Sequence, residues 1–297
     1  MPNDRILYAI GLRLLSVVLV TTMTATIKLA EAHGAHFAEI LFFRQAFAVP
    51  LVVCVIAVGP GLSSVATKRI GAHTIRMIVG LTSMACLFAA LMILPLAEAT
   101  TFQFTMPIFA TILAALVLKE ATGWHRWSAV VVGFAGVLIV AQPGSGHIPL
   151  LGAAFGLTAA LFAAIISILL RQIGKTESSS TTVFWYSVLS IPPLGLAYLF
   201  FLAPHPPLVW ALLVATGLVG GAGQLALTAS LKFAPVSIVL PMDYSSLLSA
   251  ALYGWLLFGA IPGLSTWIGA PVIIASGLYI VWRERLRHIR ETEQAIL

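Results

Sequence analysis

Ionisable groups are rare in this chain, and the few inside long apolar runs are the ones that could do chemistry. Asp243 stands near the middle of Phe233 to Phe258, FAPVSIVLPMDYSSLLSAALYGWLLF, a stretch long enough to cross a bilayer. At the helical rise it would lie roughly 12 to 14 Å inside the membrane, where a bare carboxylate is costly. Pro241 lacks the amide that would bond to Ser237, so nearby backbone is open to a ligand or to another helix. Asp243 and Tyr244 therefore read in two ways: contact with a cargo or a proton, or a structural carboxyl bonded to polar neighbours such as Gln224.

A second polar run starts at residue 97. Glu98, Thr101 and Thr105 are spaced i, i+3, i+7 and share one helix face, while Gln103 and Pro107 share another. Gln103 lies about as deep in its run as Asp243 does in its own, which points to a cavity between these two helices. Thr21, Thr24 and Lys28 repeat the i, i+3, i+7 spacing, a stripe that should face protein or water, although Lys28 can also snorkel outward. Arg44 falls about 9 to 10 Å below the outer surface by the helical rise, with Glu39 just over one turn above it. An ion pair of Arg44 with Glu39 or Glu98, acting as an outer latch, competes with carboxylate binding. Glu98 sits near the interface, where an ordinary solvated or paired carboxylate is the simpler reading. Trp185 and Tyr186 can wall a cargo side chain or merely fill the core. The candidates for cargo contact are thus Thr24, Gln103, Thr105, Trp185, Tyr186, Gln224, Asp243 and Tyr244. Lys28, Glu39, Arg44 and Glu98 are candidates for gating, and Pro107 and Pro241 for helix breaks.

The elements that must position these groups follow from composition. The chain is 60% hydrophobic and only 9% charged, with a mean hydropathy of +1.04, against roughly 25% charged residues in soluble domains. A polytopic membrane protein is the class this implies. Apolar runs at 9–30, 37–57, 74–93, 97–118, 125–141, 149–170, 182–202, 208–230, 234–257 and 265–282 predict ten transmembrane helices and leave no segment for a soluble domain. Helices are expected because backbone groups in hydrocarbon must be bonded within the segment or within a closed barrel, and the runs lack the alternation of barrel strands. The first run exceeds the apolar core of a signal peptide and reads as a retained helix.

With both termini in the cytoplasm, all of the sixteen Lys and Arg except Lys28 and Arg44 fall on or near the inner side, Arg13 at the start of the first helix among them. The tail RERLRHIR then reads as an orientation signal and a lipid contact rather than a nucleic-acid patch. The histidines fall in breaks or at run ends, so no metal and no cofactor is expected. Gly174-Lys175-Thr176 has Leu169 where a P-loop needs glycine, and no HExxH, paired-carboxylate or nucleophile-elbow motif occurs, so neither an ATP-driven pump nor an enzyme is indicated.

The two halves, 1–143 and 144–297, loosely repeat. Each has a polar, proline-interrupted helix, a short turn, a tryptophan (Trp127, Trp267) and a glycine-rich helix. Five runs per half is odd, so the second repeat would enter the membrane inverted, an all-α transporter architecture with a midplane site. The run Pro95-Leu-Ala-Glu98-Ala-Thr100, with Pro107, Lys119-Glu120, Gly123-Trp124 and Gly133-Phe-Ala-Gly136, resembles the first repeat of EamA-type carriers of the drug/metabolite transporter superfamily. Gly223-Gln224, Ala234-Pro235, Pro241-x-Asp243-Tyr244 and Gly254-Trp255-x-x-Phe258-Gly259 resemble the second, and Lys28 and Arg44 match basic positions common there. The second half has Gly259-Ala260 where the family often has Gly-Glu, whereas the first keeps Glu120. The resemblance implies alternating access around a central cavity and a small-molecule cargo. It is similar to bacterial amino-acid and metabolite exporters, the aromatic amino-acid exporters included, in the inner membrane; uptake or drug efflux is the alternative. The lipid bilayer is the other partner; the sequence leaves the oligomeric state open, a monomer being compatible with it.

Overall fold

Prolines set where the helices break. In a computed structural model the chain is described over residues 3–59, 61–116, 124–142, 148–174, 176–233 and 240–296. Among these residues the regular elements are all helical: α1 (Asn3–Ala32), α2 (Phe37–Ala46), α3 (Ala48–Val58), α4 (Ile70–Ile93), α5 (Leu96–Gln103), α6 (Met106–Leu116), α7 (Trp124–Ala141), α8 (Leu150–Ile173), α9 (Ser179–Leu199), α10 (Pro207–Phe233), α11 (Ser246–Phe258) and α12 (Leu264–Ile296). Two 3₁₀ turns join them, η1 (Leu62–Val65) and η2 (Leu240–Ser245), the second leading straight into α11.

The run at 97–118 breaks at Phe104 and Thr105, because Pro107 cannot donate to the Gln103 carbonyl and its ring crowds it. The amides of Phe104, Thr105 and Ile108 bond three residues back instead of four. Pro241 falls in η2, so the expected irregularity there is present. The run at 37–57, read as one straight helix, is also interrupted, at Phe47; Pro50 removes the bond to the Ala46 carbonyl. Residues 117–123, with Lys119 and Glu120, and residues 234–239 lie outside the described residues. The last helix continues through the basic tail to Ile296 instead of ending near residue 282.

Among the described residues, six helices are long and apolar enough to cross a membrane, Leu7–Ala32, Phe37–Val58, Ile70–Ile93, Leu150–Leu170, Ser180–Leu199 and Pro207–Ser230, with Trp127–Ala141 and Leu264–Ile280 as shorter apolar helices. α1 lies along α10, α4 along α8 and α7 along α12. The last pair crosses almost backbone to backbone: a Cβ on Gly269 would fall 2.8 Å from the Gly136 carbonyl oxygen, so only glycine permits that approach. α1 is bound into the bundle along its length. Ser16 Oγ donates to the Gly223 carbonyl at 2.9 Å, and Thr216 Oγ1 to Thr26 Oγ1 at 3.0 Å.

Candidate functional site

The two broken helices meet. The rings of Phe104, at the α5–α6 break, and Tyr244, in η2, stand edge to face with centroids 5.1 Å apart. The Tyr244 hydroxyl presses onto α12, where a Cβ on Gly277 would fall 2.1 Å from it. Where the sequence points to a cavity between these two helices, the structure has two rings in direct contact, and the polar members point elsewhere. Gln103 Nε2 donates to the Gly156 carbonyl of α8 at 3.2 Å, and Thr105 Oγ1, wholly buried, donates to the Phe102 carbonyl at 2.7 Å. Thr24 is buried and donates to the Thr21 carbonyl at 2.8 Å.

Asp243 is held by Arg13, not by Gln224. Arg13 Nε donates to Asp243 Oδ1 at 2.6 Å and Nη2 donates to Oδ2, a two-pronged pair across 230 positions. The side chain of Arg13 is 5% exposed and that of Asp243 37%, so one partner is sunk in protein and the other borders an opening. In the sequence Arg13 carries only an orientation signal. The signal that could have found it is the stripe Thr21, Thr24, Lys28, which Val17 and Arg13 extend by one turn each on the same face of α1.

Lys28 does not snorkel. Its Nζ donates to the carbonyls of Leu91 at 2.6 Å and Leu94 at 2.9 Å, the unpaired carbonyls that end α4. Glu98 is 5% exposed rather than solvated. It accepts from Thr266 Oγ1 at 3.2 Å and from the Gly263 amide at 3.4 Å, placing a carboxylate at the N-terminus of α12.

The expected latch between Arg44 and a carboxylate is replaced by other partners. Glu39 Oε2 accepts from the His36 amide at 2.7 Å, which caps α2, and lies 2.8 Å from His205 Nε2. Arg44 turns inward. Its Nη1 donates to Gln45 Oε1 at 2.9 Å, and its Cζ lies 5.9 Å from the Tyr186 ring centroid. Arg76, from α4, stacks on the same ring with Cζ at 4.3 Å. Both arginines and Tyr186 are buried. A charged arginine at membrane depth costs about 3 kcal/mol on insertion scales, of which a buried aromatic face returns about 2 kcal/mol. Trp185 is not part of this cluster's wall: its Nε1 donates to the Val65 carbonyl at 2.8 Å and ties α9 to η1. Arg76 was assigned to the inner-side cations from the sequence, and no spacing pattern linked it to Tyr186.

The polar groups at the two breaks bond within the bundle, and hydrogen bonds hold the helix ends together. Comparison with known proteins gives the family. The EamA-like transporter family matches residues 7–142 and again 150–282. The chain is 30% identical over 281 residues to a riboflavin transporter of Vibrio cholerae, covering 91% of this chain and 94% of that one. It is 29% identical over 259 residues to the pseudopaline exporter of Pseudomonas aeruginosa, covering 86% and 89%. It is 27% identical over 252 residues to an S-adenosylmethionine uptake transporter of Rickettsia prowazekii, covering 84% of each. A solved crystal structure shares the fold, with TM-score 0.60 at 18% identity over 93% of this chain and 97% of that one. This chain belongs to the EamA-like transporter family of the drug/metabolite transporter superfamily and is a multi-pass membrane transporter of small metabolites.

Proposed function

We propose that this transporter is a secondary carrier in which two inverted five-helix repeats, 1–143 and 144–297, rock about a shared site in ten crossings. The observation that carries this reading is the meeting of α5–α6 with η2–α11 at Phe104 and Tyr244. Interrupted helices at matching positions of two repeats are where such carriers hold cargo. The helix contacts support the pairing of halves. Exchanging α1 with α8, α4 with α10 and α5–α6 with η2–α11 turns the α1–α10 contact into α8–α4, and the α1–α11 contact into α8–α5. The α7–α12 and α2–α9 contacts map onto themselves under the same exchange. The two family matches fall in the same halves.

With both termini cytoplasmic in a bacterial inner membrane, Arg13–Asp243 clamps the inner half, and Glu39–His205 and Glu98–Thr266 tie the outer half. Rocking would open one set while the other holds, so that the cargo site faces one side at a time. No covalent step is involved. The cargo we assign is an amino acid, neutral or aromatic, moved outward. The relative named as an S-adenosylmethionine uptake transporter supports inward movement as the second reading.

Proteoliposomes containing the purified chain test both readings. Labelled amino acids, riboflavin and S-adenosylmethionine are offered from either side of oriented vesicles. Saturable flux of a neutral amino acid toward the face corresponding to the outside supports the assignment; saturable flux of the other compounds alone, or inward flux alone, overturns it.

A further inference from the structure

Two guanidinium groups meet on one tyrosine inside the bundle, and no acidic group among the described residues lies within ion-pair distance of either. Arg44 comes from α2, Arg76 from α4 and Tyr186 from α9. They are 8%, 5% and 5% exposed. Nε of Arg44, and Nε and Nη1 of Arg76, are buried with no hydrogen-bond partner among the described residues. Four carboxylates of the bundle bond elsewhere, Asp243 with Arg13, Glu39 with His205, Glu98 with Thr266 and Glu177 with Thr67, with Glu39 Oε1 and Glu98 Oε2 left buried and unpartnered among the described residues. Backbone has been cleared for the arginines. For Arg76 this is direct, since a Cβ on Gly80 would fall 2.2 Å from its Nη1; at Gly220, beside Arg44, the space is taken by Met23 Sδ at 2.5 Å, with Arg44 Nε in ordinary contact at 3.6 Å. The Tyr186 face attracts cations but supplies no counter-charge, and two like charges in a low-dielectric interior repel each other.

We infer that Arg44, Arg76 and Tyr186 form an oxyanion-binding site that takes the carboxylate of the cargo. The inference rests on the carrier reading above and narrows its cargo to organic carboxylates. The three unpartnered nitrogens carry four N–H groups, which match the roughly four lone-pair sites of a carboxylate, whereas the three terminal oxygens of a phosphate offer more acceptor sites than these donors can meet in a buried place. The neighbours are soft and apolar: Met84 Sδ lies 3.8 Å from the Tyr186 hydroxyl, and Met23 Sδ lies where a Gly220 Cβ would point. Burial of all three side chains makes this an occluded site, reached only when the helices move.

The test uses the purified full chain in detergent at fixed ionic strength. Benzoate is the probe, benzamide its uncharged match, and inorganic phosphate the other oxyanion. Benzoate is expected to raise the unfolding temperature with dose, and benzamide is not. Arg44→Gln and Arg76→Gln should weaken the apparent benzoate affinity at least about tenfold, since each removes a charge-assisted donor set. Arg76→Lys should keep part of the effect, because it retains the charge without the planar donors. If a glutamine variant does not fold, Arg76→Lys and Gly80→Ala, whose methyl enters the space of Arg76 Nη1, carry the same comparison. The site is overturned if benzamide matches benzoate, if the benzoate shift persists undiminished in the variants, or if phosphate alone produces it. Exchange transport separates this site from the carrier reading. Exchange without any benzoate shift overturns the site only, and no exchange of any cargo overturns the carrier whatever benzoate does.

Discussion

Arg13 grips both carboxylate oxygens of Asp243, joining the first helix of the chain to the 3₁₀ turn that leads into α11. The pair crosses from one half of the sequence to the other, and only its acidic member borders an opening. A clamp of that kind can be released by charge changes at one end without unpacking the other.

The strength of this clamp is measurable by a double-mutant cycle on unfolding in detergent. Arg13→Gln and Asp243→Asn should each destabilise, and the pair should couple by roughly 1 to 3 kcal/mol, the span of contacting polar partners. Asp243→Asn should be the more harmful single change, because it leaves the buried Arg13 guanidinium without its counter-charge, whereas the carboxylate freed by Arg13→Gln borders an opening. Additive effects of the two substitutions would show that the pair does not act as a unit.

Glu39 answers to His205 rather than to Arg44. His205→Ala should cost about 1 to 3 kcal/mol by removing a partner from a fully buried carboxylate. In unfolding cycles His205→Ala should couple with Glu39→Gln, and Arg44→Gln should be additive with it. Coupling of Glu39 to Arg44 instead would restore the outer latch expected from sequence spacing.

The α7–α12 crossing should tolerate no side chain. Gly269→Ala would push a methyl to 2.5 Å from Val140 Cγ2 and 2.8 Å from the Gly136 carbonyl, and overpacking of this kind costs about 1 to 3 kcal/mol. The unfolding midpoint should fall accordingly; an unchanged midpoint would mean that the helices separate freely there.

What the sequence made legible was the local chemistry of each run. Pro107 and Pro241 announced their breaks because a missing amide acts within one turn, and the same rule applied to Pro50 would have found the break at Phe47. Six of the ten apolar runs coincide with helices long enough to span, and two more with shorter apolar helices, among the described residues, because hydrocarbon demands length and hydrophobicity of each segment separately. Partners across the bundle were harder. His205 lies 166 positions from Glu39 and Arg13 lies 230 from Asp243, and spacing within one helix carries no information about which distant helix it faces. Glu98 looked interfacial by depth, yet the N-terminus of α12 covers it.

The contact of the two broken helices predicts its own signature. Phe104→Ala and Tyr244→Ala should couple by about 1 kcal/mol in unfolding, as edge-to-face rings do. Phe104→Leu should slow exchange more than it lowers stability if the breaks move against each other during transport. Loss of stability with exchange per folded protein unchanged would reduce the contact to packing.

Trans-stimulation tests the central claim most directly. Proteoliposomes are preloaded with the labelled cargo identified by flux, and efflux is followed with and without unlabelled cargo outside. An alternating-access carrier returns faster loaded than empty, so efflux should accelerate several-fold and saturate with the external concentration. Efflux that is indifferent to external cargo and rises linearly with the internal concentration would contradict the account and make the chain a passive pore.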